Sequence, residues 1–150
     1  AETGLTVVFV SHDPAEVLAL ADQILVLRSG RLIAAAAPDE LYNRPPDGYT
    51  ARLLAQSNVL SREAAATLGI TTEVPVAIHP EWMTLTAAGA SPSKFVVTEV
   101  SFRGFYQTVT VLPVSDASCP PLRVIVPPAG NLTAGSDVSV QVNRFHPLSR

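Results

Sequence analysis

The sequence is poor in the residue types that most often announce chemistry. It has one cysteine, Cys119, so neither an internal disulfide nor a thiolate zinc site can be built from it. Placed between Ser118 and Pro120-Pro121, Cys119 reads as a small apolar side chain in a loop. Positive charge is sparse: one lysine and nine arginines, spread singly from Arg28 to Arg150. Without a Lys/Arg cluster the chain lacks the electrostatic footprint of a nucleic-acid binder, and no nucleic-acid partner is expected. No apolar run reaches the ~18–20 residues that a membrane-spanning helix needs. The opening AETGLTVVFV has neither the basic start nor the cleavage region of a secretory leader. It also has no Met, and an apolar run begins within a few residues, so the natural chain is expected to start further upstream. His12, His79 and His146 stand too far apart to suggest a metal site, and none is expected.

What remains is a chain of 150 residues, 47% apolar and net −3, which suits one modest domain or two small ones and argues against a disordered tail. Its first half reads as α/β. Leu5–Val10 is a near-continuous apolar run rich in β-branched residues, the pattern of a strand buried on both faces of a parallel sheet. Ser11-His12-Asp13 follows, then a helix from Pro14. Asp13 is placed as its cap, with Glu16 closing a capping-box-like start, and Val17, Leu18 and Ala21 share one face. The pattern predicts strands over Gln23–Arg28 and Arg31–Ala36 joined by a Ser29-Gly30 turn, and short helices from Pro38, over Tyr49–Ala55 and over Ser61–Leu68, the last closed by Gly69.

From about Val74 the composition shifts to prolines and β-branched residues. Strands are predicted at Val74–Ile78, Met83–Thr86, Lys94–Ser101, Tyr106–Val114, Leu122–Val126 and Val138–Val142. Turns are predicted at Arg103-Gly104 and Asn131–Gly135. Short strands with frequent turns predict a small barrel or sandwich. Trp82 reads as packing, the Phe102–Tyr106 aromatics as anchors, and His146 as solvent-exposed.

His12, at the end of the expected strand, occupies the place where ligands sit in open α/β sheets. Its ring can donate to a phosphate oxygen or orient a water. From position alone, a histidine just after a strand is more often a structural hydrogen-bonder. A Ser11/His12/Asp13 hydrolase triad is excluded, because consecutive residues of an extended chain point to opposite sides.

The longer string TVVFVSHDPAEVLALADQILVLRSGRLIAAAAPDELYNRP resembles the region after the catalytic carboxylates in ABC-transporter ATPase subunits. The correspondence runs through Thr6, Val7, Val8, Val10, His12, Asp13, Glu16, Leu20, Ala21, Asp22, Gly30, Pro38, Glu40, Leu41, Tyr42 and Pro45, with Asn58 and Leu60 resembling the exit from the ATPase domain. Val76–Glu81 resembles the opening of the oligonucleotide-binding-type accessory domain (TOBE) of importers for iron, polyamines and sulfate, with His79 where Arg is usual. Further departures are Gln23 for Arg and Ala34–Ala37 for a stretch whose Thr would cap the next helix, a loss of about 1 kcal/mol.

The resemblance implies an α/β C-terminal piece of a P-loop ATPase domain over residues 1–60, a linker helix over 61–73, and a small all-β OB-like barrel over 74–150. It implies a parent that hydrolyses ATP with Mg²⁺ to drive solute import, in which His12 serves both catalysis and nucleotide binding by contacting the γ-phosphate. The implied partners are integral-membrane permease subunits, a second copy of the ATPase subunit and, indirectly, a solute-binding protein. The implied place is the cytoplasmic face of the plasma membrane. The chain itself has no G-x-x-x-x-G-K-[ST] loop, no Mg²⁺ aspartate strand and no signature segment, so it is expected neither to hydrolyse ATP alone nor to hold ATP or Mg²⁺ tightly. The alternative reading is a stand-alone regulatory or small-anion-binding module.

Overall fold

The computed structural model describes residues 4–88, 94–115, 117–128 and 132–149. It is a mixed α/β fold whose strands form three antiparallel sheets of two, three and five strands among the described residues.

The expected strand Leu5–Val10 is not formed. Residues 4–10 have no regular structure, and Leu5, Val7, Val8 and Val10 are 77%, 76%, 85% and 98% exposed. A two-face-buried strand needs ladder partners beside it and cover above and below. None of the described strands lies alongside this segment, so its apolar pattern has nothing to pair with.

Helix α1 (Pro14–Leu20) starts as its residues dictate, with Asp13 Oδ1 accepting the Ala15 N–H at 2.9 Å. The capping box is rearranged, however. Glu16 Oε2 accepts the Ser11 hydroxyl at 2.6 Å, and the Asp13 N–H donates to Ser11 Oγ at 3.1 Å. Val17, Leu18 and Ala21 pack on a small core of Ile24, Val26, Ala34, Leu41 and Leu54. Strands β1 (Ile24–Arg28) and β2 (Arg31–Ala36) supply Ile24, Val26 and Ala34, three of those five residues. Their turn has φ of 49° at Ser29 and 75° at Gly30. Left-handed geometry at both central residues matches the twist of the flanking strands. Helix α2 (Pro38–Asn43) begins at Ala37 with no side-chain cap, as the alanine run predicts. Helix α3 (Gly48–Ala55) is capped by Asp47, which accepts the Thr50 N–H at 2.8 Å, and it ends on Gln56 at φ 49°.

Strand β3 (Asn58–Leu60) pairs with β4 (Val76–Ile78), and β10 (His146–Pro147) pairs with the other side of β4. Neither β3 nor β10 was legible from periodicity, because two or three residues do not establish one. Helix α4 (Arg62–Ala66) lies between β3 and β4. It is shorter than the predicted Ser61–Leu68, since its last residues turn tightly toward Gly69 at φ 75°. Residues Ala64, Ala65 and Ile70 join the main core.

The remaining strands are β5 (Met83–Ala87), β6 (Lys94–Phe102), β7 (Gln107–Pro113), β8 (Leu122–Val126) and β9 (Asp137–Val142). Their order in the sheet is β5-β9-β6-β7-β8, and the sheet curls so that its edge strands β5 and β8 approach one another. Inward residues alternate as a half-buried sheet requires: Phe95 and Val97, Val109 and Val111, Leu122 and Val124, Val138 and Val140. Cys119 packs into this core from its loop. Of the Asn131–Gly135 turn, Asn131 lies outside the described residues, while Gly135 has φ 90°. No described helix is long and apolar enough to cross a membrane.

Phe95 is the largest fully buried side chain of the main core, at 1% exposure. Phe95→Ala is expected to lower unfolding free energy by about 3–5 kcal/mol, read as a shift of the urea midpoint. A loss below 1 kcal/mol would show that the core does not close around this ring.

Candidate functional site

His12 sits in the loop before α1, exposed, and makes no hydrogen bond to another described residue. Its neighbours are fully used in building the turn. Ser11 bridges Glu16 and the Asp13 amide, and Asp13 caps α1. The loop therefore fixes the backbone at His12 through its two flanking side chains and leaves the imidazole free to meet solvent or a ligand. The structure brings no second sequence-selected residue to it. Among the described residues, no group of three or more His, Cys, Asp or Glu is placed to hold a metal ion.

The titratable groups that do converge were given no site role by sequence reasoning. His79 is wholly buried immediately after β4. Its ring stacks on Trp82 at 3.7 Å between centroids and meets the edge of Tyr42 at 4.6 Å. Its Nδ1 lies 3.4 Å from Glu81 Oε1, too poorly aligned for a hydrogen bond, and neither ring nitrogen has a hydrogen-bond partner. The Tyr42 hydroxyl donates to the same Glu81 oxygen at 2.5 Å. The Arg144 guanidinium lies 4.3 Å over the Trp82 ring and donates to Asn43 Oδ1 at 3.2 Å. The cluster thus joins α2 to the segment after β4 and to the segment before β10. Trp82 is packing, as its sequence context predicts. Sequence reasoning noted His79 as a neutral-capable ring where the resembling domains carry a permanent charge, but gave it no site role.

His146 is not solvent-exposed as expected. It is half-buried because β10 pairs it with Ala77. Burial, the nearby charges of Arg44 and Arg144, and His79 hold its pKa below the usual histidine value, against a hydrogen bond with the Pro45 backbone that raises it. Partial burial pushes the Glu81 carboxyl up, but contacts from His79 and the Tyr42 hydroxyl outweigh it and leave the group below the usual carboxylate range. Burial and the Glu81 carboxylate together raise the Tyr42 phenol.

Both depressed groups act in the same direction. A folded pKa below the unfolded one gives stability that is complete above the unfolded value and lost as pH falls through the folded one. The chain is therefore expected to lose stability below about pH 6.5 through His146 and further below about 4.5 through Glu81. His146→Gln should flatten urea midpoints between pH 7 and 5. Tyr42→Phe should cost about 1 kcal/mol at pH 7, toward the low end of charged hydrogen bonds because Glu81 is partly exposed. A pH 7-to-5 profile identical in His146→Gln would remove that histidine from the account.

No family model matches the chain. It is similar, however, to proteins named as Fe(3+) ions import ATP-binding protein FbpC. One from Rhodococcus jostii is 31% identical over 157 residues, covering 95% of this chain and 45% of that protein. Another from Yersinia pseudotuberculosis is 29% identical over 164 residues, covering 96% of this chain and 47% of the relative. A shorter match to the Pseudomonas fluorescens protein reaches 50% identity over 60 residues, 40% of this chain. The chain spans less than half the length of these relatives. Among solved structures, the cytoplasmic molybdate-binding protein ModG is matched at TM-score 0.40 and 14% identity, over 57% of this chain and 70% of that one. Over nearly its whole length, this chain is similar to proteins named as Fe(3+) ions import ATP-binding proteins.

Proposed function

We propose that this chain is the C-terminal part of the ATP-binding, ATP-hydrolysing subunit of an ABC importer, working at the cytoplasmic face of the plasma membrane. The observation that carries the reading is the similarity over 95% of the chain to Fe(3+)-import ATP-binding proteins. In this reading residues 1–60 end the P-loop ATPase domain, 61–73 link it onward, and 74–150 form a TOBE-type, OB-like accessory domain. The curled five-stranded sheet supports the last assignment. The cargo class is ferric iron, following the relatives' names. The partners are two permease subunits, a second ATPase subunit and a solute-binding protein on the far side.

The chemistry is phosphoryl transfer from ATP to water. Such catalysis rests on positioning and on electrostatic stabilisation of the γ-phosphoryl group. ATP and Mg²⁺ would be held mainly by residues beyond this chain. From this chain, His12 would donate to a γ-phosphate oxygen and help hold the attacking water. Its exposed ring and the Ser11 and Asp13 bonds that fix its backbone support that role. Contact at the reacting phosphate affects turnover more than nucleotide affinity, because most binding contacts lie elsewhere.

Two measurements test this. In the intact parent, His12→Ala is expected to lower kcat about 10²-fold or more while ATP affinity stays within a few-fold. An unchanged kcat would return His12 to a structural role. The 150-residue chain alone is expected to release no phosphate from ATP, and Mg²⁺-dependent turnover that survives further purification would contradict the reading. Sequencing the DNA upstream of Ala1 separates the proposal from a free-standing module, since the proposal requires an in-frame phosphate-loop motif.

A further inference from the structure

The outward face of β6, β7 and β8 carries a polar groove that the ATPase reading does not use. Its origin is a bulge. Along β6 the pairing steps from Val97↔Val111 to Glu99↔Thr110, so Thr98 is skipped and its hydroxyl donates instead to the Thr110 carbonyl at 3.1 Å. Skipping one residue reverses which side chains face outward. Phe95 and Val97 point into the core before the bulge, whereas Glu99 and Ser101 line the outer face after it. Beside them stand Thr110 and Thr108 of β7, and β8 adds Arg123 opposite Thr110. The β6–β7 turn closes one end, where the Arg103 N–H donates to the Tyr106 carbonyl at 2.9 Å. The resulting groove has a volume of about 290 Å³, just below the ~300–1,000 Å³ common for small-molecule sites.

Arg123 is held rigidly. Asn58 accepts its backbone N–H and donates to its carbonyl, both at 2.8 Å, and its guanidinium donates to Gln56 Oε1. A guanidinium carries five donors, and a neutral amide oxygen leaves its charge unmatched. None of Arg103, Arg123 and Glu99 takes part in an ion pair among the described residues. Arg123 and Glu99 lie two strands apart, about 10 Å at the ~4.8 Å spacing of a sheet, with the Thr110 hydroxyl between them.

We propose that this groove binds a small anion that also carries hydroxyl groups. Arg103 and Arg123 would take acid oxygens in charge-assisted hydrogen bonds. Glu99 accepts from ligand hydroxyls, and Ser101, Thr108 and Thr110 donate or accept as needed. A bare inorganic anion leaves Glu99 without a donor, and a cation meets two arginines, so the donor set favours the mixed ligand. Hydroxycarboxylates and sugar phosphates share this chemistry. The proposal stands apart from the ATPase reading, because it uses only groups of β6, β7, β8 and the β6–β7 turn, with Gln56 beside them.

Calorimetric titration of the 150-residue chain with citrate, glucose 6-phosphate, malonate and sulfate tests it. Saturable binding of citrate or glucose 6-phosphate is expected, with malonate and sulfate weaker by about tenfold or more; which of the first two binds identifies the source. Arg103→Gln, at an exposed turn, should weaken binding about tenfold with the circular dichroism unchanged. Thr110→Val, which keeps strand shape and removes one hydroxyl, should weaken it less. Equal binding of all four anions, binding of none, or binding indifferent to both substitutions overturns the proposal.

Discussion

Val76, Ala77, Ile78 and His79 are consecutive and wholly buried, and the arrangement of the rest of the molecule depends on how that one extended segment is satisfied. A buried strand must place both its backbone edges in hydrogen bonds. β3 takes one edge and β10 the other, which brings residue 58 and residue 146 to the same short sheet. Asn58 extends the effect: its amide donates to the Ile78 carbonyl at 3.2 Å and also grips the Arg123 backbone, tying β4 to the far edge of the five-stranded sheet. The Leu148 N–H donates to the Pro75 carbonyl at 2.8 Å, so the chain's last described turn is fixed to the strand's start.

That constraint explains which parts of the fold were legible beforehand. β2 and β8 run over the residues that alternation and turn chemistry predict, Arg31–Ala36 and Leu122–Val126. Ser29-Gly30 forms its turn because the left-handed conformation is a local property of those residues. β3 and β10 are different. Two or three residues carry no periodicity, and they become strands only because β4 needs partners that are distant in sequence. The same holds for the bulge at Thr98, which leaves no trace in composition yet decides which side of the sheet is polar.

The failure at Leu5–Val10 has the opposite cause. Its pattern is as strong as any in the chain, and it still does not form a strand. β-branched apolar residues favour a pleated, covered surface; they do not create one. The outward leucines of the hairpin, Leu25, Leu27 and Leu32, are 57–60% exposed for a related reason, since α1, α2 and α3 cover only the other face. Pattern records what a segment is suited to pack against, and packing needs the counterpart to be present.

The three histidines show how little residue type alone says about a site. His12 lies in an exposed loop whose backbone is pinned on both sides, so its ring is reachable by a ligand. His79 is enclosed by Trp82, Tyr42 and Glu81, where any ligand would have to displace a stacked indole. His146 is intermediate, held by a two-residue strand and facing the charges of Arg44 and Arg144. Sequence reasoning expected His146 to be the solvent-exposed one, whereas the exposed ring is that of His12 in its local Ser-His-Asp turn. The burial of His79 and His146 was not readable, since it is imposed in part by residues distant in sequence, Tyr42 for His79 and Ala77 for His146. Reachability therefore separates His12 from the two histidines whose contacts help hold the fold together.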